Sequence, residues 1–447
     1  MRLRTLTALA GALTLSLASG CAQGDSTGAS SNTVTYWLWD TNQLPAYQAC
    51  AKGFEKANPG LKVKITQLGW SDYWTKLTAG FIAGTQPDVF TDHIQKFGQF
   101  ADLKVLEPLD ELGIKDSDYQ PGLAANWIGQ DGHRYGTPKD WDTVALFYDD
   151  KMAKAAGLSA EQLNSLAWNP KDGGTFEKAI AHLTVDAKGR RGDEPGFDKD
   201  NVKVYGLATN GGGFGDGQTQ WSPFAASAGW SYTEKARWGT RYQYDSKTFQ
   251  SVIDWYFGLA EKGYMAPFAD YNVQSNQANT QVAAGKAATA LDGAWMISTY
   301  DGFKGREMKS ALTPVGPTGK RATMMNGLAD SISKASKNKA GARKWVAYLA
   351  SDECQSVVGR AGVVFPATPA GTEAAIAAYR KKGIDVTAFT EPVADKKGSR
   401  TFSYPITNYA ADVTALMMPA MEDIYGNGKS AGSLDQTNDQ INLILSQ

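Results

Sequence analysis

The chain has 447 residues, 42% hydrophobic and 20% charged, which fits a globular protein of two or three domains and excludes a disordered, collagen-like or coiled-coil chain. Lys and Arg total 45 against 46 Asp and Glu, so the net charge of −1 removes any general electrostatic case for nucleic acid. Three His and three Cys are too few for a Cys/His metal cluster, whereas 13 Trp and 19 Tyr are a heavy load of flat side chains.

Residues 1–20 read as an export address. Arg2 and Arg4 form a short basic region, and the apolar stretch 6–17 is too short to span a bilayer. Leu17-Ala18-Ser19-Gly20-Cys21 resembles a bacterial lipobox, with Ala18 where that motif prefers Leu. The resemblance implies cleavage before Cys21 and a lipid on its thiol. Residues 21–32, rich in Gly, Ser, Thr and Ala, read as a flexible tether. The expectation is a protein outside the cytoplasm, held on the outer face of the membrane by lipid alone. Cys50 and Cys354 lie in helix-like segments of an exported chain, where disulfides persist, so they are expected to pair.

Val34-Thr35-Tyr36-Trp37-Leu38-Trp39 is β-branched and aromatic and reads as a strand. Residues 46–58 place Tyr47, Cys50, Ala51 and Phe54 at helical spacing, and Asn58-Pro59-Gly60 ends the helix. A strand at 61–65, a helix at 73–83 and a strand at 88–90 follow. This βαβαβ order predicts a parallel sheet covered by helices, with ligands beyond the C-terminal strand ends. Strands at 143–148 and 205–208, helices at 249–260 and 280–288 and an extended piece at 311–314 continue the pattern. Helices are expected at 340–351, 374–379 and 413–425.

Several segments resemble, in order, those of the family 1 extracellular solute-binding proteins, the sugar-capturing components of ABC importers. They are Phe54-Glu55-Lys56-Ala57-Asn58-Pro59-Gly60 with Val63, and Gly84-Thr85-Gln86-Pro87-Asp88-Val89. Next come Tyr135-Gly136-Thr137-Pro138 to Phe147-Tyr148, and Gly285-Lys286-Ala287-Ala288 with Gly293-Ala294-Trp295. Last are Pro314-Val315-Gly316-Pro317 and Ser333-Lys334-Ala335-Ser336-Lys337-Asn338. The resemblance implies an α/β, two-lobed periplasmic-binding-protein-like fold of type II, with ligand in the interlobe cleft and hinge closure. Lobe one is expected at 33–142 with 315–355, and lobe two at 146–310 with 360–447.

A sugar needs hydrogen-bond partners for its hydroxyls and aromatic rings for its C–H faces. The loops with that mix give Trp39, Asp40 and Asn42; Asp92 and His93; and Trp141 and Asp142, the last four residues after Pro138, where the family has an acidic ligand. Trp295 is the main stacking candidate, with Asp292 beside it. Trp221, Asn326 and Tyr404 come from loops that line the cleft in the family. Asp88 reads as structural, and Trp70 and Trp74 as equally core or ligand-facing. The glycines of Asn210-Gly211-Gly212-Gly213-Phe214-Gly215 are not followed by Lys-Ser/Thr, so they are not a phosphate loop. The acidic stretch 186–200 is not an EF-hand and carries its own Lys and Arg, so a charged hairpin is expected rather than a calcium site.

The function expected is capture of a di- or oligosaccharide and delivery to an ABC permease, by a monomer that needs no cofactor or metal, binds no nucleic acid and does no chemistry. An exported glycoside hydrolase would use the same carboxylates and indoles, but no Gly-x-Ser-x-Gly occurs and the segment order is that of binding proteins. A carbohydrate-binding surface adhesin is the third class.

Overall fold

The computed structural model describes residues 32–210, 215–271 and 277–446. The export segment, Cys21 and the tether up to residue 31 lie outside the described residues, as do residues 211–214. Among the described residues no helix is long and apolar enough to cross a membrane.

Strand β1 (Thr33–Leu38) buries Val34, Tyr36 and Leu38 while the residues between them are half-covered, the period-two pattern of a strand on a core. It pairs in parallel with β2 (Lys62–Gln67) and β3 (Val89–His93). Helix α1 (Leu44–Ala57) connects β1 to β2 and buries Tyr47, Cys50, Ala51 and Phe54. Helix α2 (Trp70–Ala83) connects β2 to β3 and is closed by Gly84 in the left-handed conformation, φ +71°. Helix α3 (Ile94–Asp102) starts at the residue after β3.

Two of the links between the two halves of the molecule are single residues. Only Thr143 separates β4 (Gly136–Asp142) from β5 (Val144–Asp149), and these strands lie in different sheets. The chain then forms β6 (Val185–Asp186), β7 (Val202–Leu207), β8 (Ala287–Gly293), β9 (Met308–Ala311) and β10 (Arg321–Met324). Only Met325 separates β10 from β11 (Asn326–Ile332), which returns to the first sheet; β12 (Phe365–Pro366) and β13 (Ser399–Phe402) follow. The first sheet has the order β12-β4-β11-β3-β1-β2 and the second β6-β7-β8-β5-β9, while β10 and β13 pair by themselves. The crossings lie side by side. Asn326 stands opposite Asp142, and the Thr323 hydroxyl accepts from the Val144 amide and donates to its carbonyl, both at 2.8 Å. Two sheets joined by paired short crossings are the two-lobed α/β fold that was expected.

Cys50 on α1 and Cys354 on the helix Asp352–Ala361 form the expected disulfide, with Cα atoms 5.3 Å apart and both residues fully buried. Around it Tyr36, Tyr47, Phe54, Trp345, Val346 and Leu349 make the core of one face of the first sheet.

Two expectations are corrected. The chain stays on the first sheet past residue 360, because Phe365 pairs with Trp141 of β4 and the two rings stack at 4.9 Å. The helix expected at 280–288 stops at Ala283; Gly285 turns the chain at φ +71°, and Ala287 and Ala288 open the buried strand β8. Poly-alanine spacing does not separate helix from buried strand; the glycine does.

Candidate functional site at the strand ends

The C-terminal ends of β1, β2 and β3 bring four rings together. Trp39 follows β1, Trp70 and Trp74 open α2 just past β2, and His93 ends β3. Ring centroids are 5.1 Å apart for Trp39–Trp70, 5.3 Å for Trp39–Trp74, 5.4 Å for Trp70–Trp74 and 5.6 Å for Trp70–His93. The Gln67 side chain donates to the Trp39 carbonyl at 2.8 Å and ties this loop to the end of β2.

His93 is the centre of the arrangement. Its Nδ1 caps α3 by accepting from the Gln95 amide at 3.2 Å, and its Nε2 lies 3.1 Å from the Asn326 amide nitrogen at the second crossing. A neutral imidazole accepts at one nitrogen only, so it serves one of these two donors at a time. Burial, with the Lys96 charge adding to it, pushes its pKa down to about 3, so the ring is neutral.

On its other side the His93 ring stands 5.7 Å from Tyr404. The Tyr404 hydroxyl lies 2.7 Å from Gln218 Oε1 and 3.1 Å from Asp216 Oδ1. Gln95, in the first turn of α3, donates to Asp216 Oδ2 at 2.5 Å. Residues of the first half thus meet Asp216, Gln218 and Tyr404 from later in the chain. The space lined by Gln95, Asp216, Tyr232, Tyr242, Tyr244 and Tyr404 is about 20 Å³, room for about one water. The two halves stand close together here.

Charge here is expensive. Burial, then the neighbouring Asp140, raise the Asp142 carboxyl well above the usual range. Burial raises Asp216 to about 6 against three hydrogen bonds and the Lys96 charge that lower it. Lys96 is itself lowered by burial, with Asp216 opposing. Of the twelve buried side-chain polar atoms without a partner among the described residues, three lie here: Asp142 Oδ1, Gln218 Nε2 and Trp74 Nε1. Native interiors pair nearly all such atoms. A ligand rich in hydroxyls supplies both the donors and the acceptors they lack.

Residues 39–356 match the family described as bacterial extracellular solute-binding protein, well over half of the chain. The chain belongs to that family. Among its relatives is a binding protein of Brucella abortus, 24% identical over 98% of this chain and 97% of the relative. A maltotriose-binding protein of Pyrococcus abyssi is 25% identical over 60% of this chain and 51% of the relative. Among solved structures, an ABC substrate-binding protein of Listeria monocytogenes in complex with cycloalternan superimposes with a TM-score of 0.76, at 19% identity, covering 93% of this chain and 99% of that one.

In this solute-binding protein the remaining candidates divide. Trp295 sits on a short turn after β8, half-buried, its indole folded over Gly293. A Cβ on Gly293 would lie 1.9 Å from that ring, so a side chain there would displace the indole from this position. Asp292, beside the first crossing, accepts from the Tyr300 hydroxyl at 3.1 Å and the Gly293 amide at 2.9 Å. Asp40 accepts from the Asn42 amide and the Gln43 side chain, at 2.8 and 2.9 Å, which leads the chain into α1. The Asn42 side chain is exposed.

Three of the expected site residues are packed inside the protein. Trp141 is a core residue, 2% exposed, stacked on Phe365 with its indole N–H donating to Thr372. Trp221 is fully buried against Phe249, Trp230 and Tyr232. Asp92, fully buried, uses its carboxyl oxygens on the His93 amide and the Ser331 hydroxyl. Trp141 and Asp92 lie in strands and Trp221 immediately before the short helix Ser222–Ser227, with neighbours that are hidden from a linear reading. Asp88 is structural as expected, accepting from Thr35 and Ser336. Asp186 accepts from the amides of Lys188, Arg190 and Asp198 and from Arg190 Nε, which folds the charged hairpin.

The sequence reading missed Gln95, Lys96, Asp216 and Gln218. The signal for Asp216 was present: an acid between Gly215 and Gly217, the latter at φ +70°, in a loop already marked by its glycines.

Proposed function

We propose that this protein is the receptor of an ABC importer, which captures an extracytoplasmic di- or oligosaccharide and hands it to a membrane permease without chemical change. One observation carries the reading. Unpartnered buried polar atoms of Asp142, Gln218 and Trp74 gather around His93 and Tyr404, among indoles, where two single-residue crossings join the sheets. The maltotriose of the Pyrococcus protein and the cycloalternan of the Listeria complex support the class. Ligand contacts are assigned to Trp39, His93, Asp142, Tyr404, Asn326 and Trp295, with Gln95, Lys96, Asp216 and Gln218 added. Sugar entry is taken to part the halves at the crossings Thr143 and Met325. Lobe one is taken as the first sheet with its helices, through Pro366, and lobe two as the second sheet. The working form is a monomer anchored by lipid on Cys21.

The test is a thermal-shift screen of the purified protein against mono-, di- and oligosaccharides. A ligand at one hundred times its dissociation constant stabilises the fold by about 2.7 kcal/mol. One sugar class is expected to raise the melting temperature, and Trp295→Ala, half-exposed and outside the core, to lose that rise while melting normally by itself. No rise with any sugar, or release of reducing ends from a bound one, would refute the proposal.

A further inference from the structure

We propose that Trp70 is a platform for the outer sugar unit of a bound oligosaccharide, and that it sets the preference of this protein for chain length. The inference rests on the sugar-receptor reading above and extends it to a residue at the mouth of the site.

Among the described residues four large hydrophobic side chains are exposed, Trp70, Ile82, Leu103 and Leu443. Trp70 is the one that touches the candidate site. It opens α2 three residues after β2 ends, on the same edge of the first sheet as Trp39 and His93. Trp39, Trp74 and His93 meet its ring at interplanar angles of 82°, 83° and 80°. Three near-perpendicular contacts from different directions of the chain fix the plane of the indole, yet 47% of the residue is open to solvent.

The rings make a path from inside to outside. Asn326 is 4% exposed and His93 5%, and they touch at 3.1 Å; His93 touches Trp70 at 5.6 Å. A ligand held by Asn326 and His93 and long enough to leave the buried part passes Trp70. The occupant fits one pyranose ring better than a protein surface. Gly69, Ser71 and Asp72 beside the indole are exposed and small or polar, and Asp72 pairs with Lys76 in solvent at 3.6 Å. A protein partner buries a wide contiguous apolar patch, whereas in this ring cluster Trp70 is exposed and Trp39 and Trp74 are partly covered. A sugar lays one C–H face on an indole and keeps its hydroxyls in water, so one exposed ring is enough.

The experiment is calorimetric titration of the purified protein and of Trp70→Ala and Trp70→Phe with maltose, maltotriose, maltotetraose and maltopentaose, and with the corresponding cellulose and mannan oligomers. For whichever series binds, Trp70→Ala is expected to weaken the longer members roughly three- to tenfold, the range of one aromatic contact, and the shortest by less than twofold. Trp70→Phe, which keeps a flat ring, is expected to recover part of the loss. An equal loss at every length, or none at any, overturns the platform while leaving the receptor reading intact. Unchanged sugar binding with lost uptake overturns it also, and gives the indole to the permease. Failure of the parent protein to bind every series overturns both readings together.

Discussion

Asp92 and His93 are neighbours on one strand, and their environments assign them opposite tasks. Asp92 is sealed inside, where burial raises its pKa to about 8 against the hydrogen bonds from His93 and Ser331. The folded protein therefore keeps this proton to about pH 8, whereas the unfolded chain releases it near pH 4. Between those values the folded state binds more protons, so stability present in acid is lost as pH rises. Asp92→Asn keeps a neutral side chain of the same shape. Its stability relative to the parent is expected to grow between pH 5 and pH 8, on the order of a few kcal/mol, in urea titrations at both pH values. A difference that does not change with pH would show that Asp92 is ionised in the folded protein. The residue types at this position were legible; which of the two meets the ring cluster was not, because strand β3 continues to His93 and pairs with β11 from more than two hundred residues away.

At the level of elements, α3 decides how the halves meet. Its first turn carries Gln95 and Lys96 toward Asp216, and Gly98 on the next turn lies against the Thr407 backbone. A Cβ at Gly98 would sit 2.2 Å from the Thr407 carbonyl oxygen. Replacing a helical glycine by alanine stabilises an isolated helix by up to about 1 kcal/mol. Overpacking costs about 1–3 kcal/mol, so the clash wins. Gly98→Ala is expected to lower the melting temperature and to weaken ligand binding, since α3 and the Gln95–Asp216 contact would be displaced together. A variant that melts at or above the parent temperature would show that α3 and residue 407 can separate freely. The sequence placed strand three correctly but gave no helix at 94–102, where the short amphipathic stretch runs directly on from the strand without a break.

For the molecule as a whole, the disulfide closes the longest loop in the chain. Cys50 and Cys354 are 304 residues apart, and the enclosed segment makes both crossings between the sheets. In the chain-entropy picture so long a loop is worth about 5 kcal/mol. Cys50→Ser with Cys354→Ser is therefore expected to lower the urea midpoint markedly while leaving sugar affinity unchanged, because the bond lies in the core around Trp345 and not at the cleft. Loss of affinity at full folding would mean that the bond also holds the ligand site in shape.

The sequence by itself determined the alternation of strands and helices, the pairing of the two cysteines, the family and the aromatic character of the site. These rest on local periodicity, composition and short ordered segments, which a linear chain displays. Tertiary structure decided which indoles are buried and which stay exposed. Trp141 and Trp221 disappear into cores built by Phe365 and Phe249, while Trp70 stays in solvent. It also placed Asp216 and Gln218 against Tyr404 across nearly two hundred residues. Burial and contact between such distant segments depend on how the crossings at Thr143 and Met325 set one sheet against the other, and no local pattern encodes that geometry.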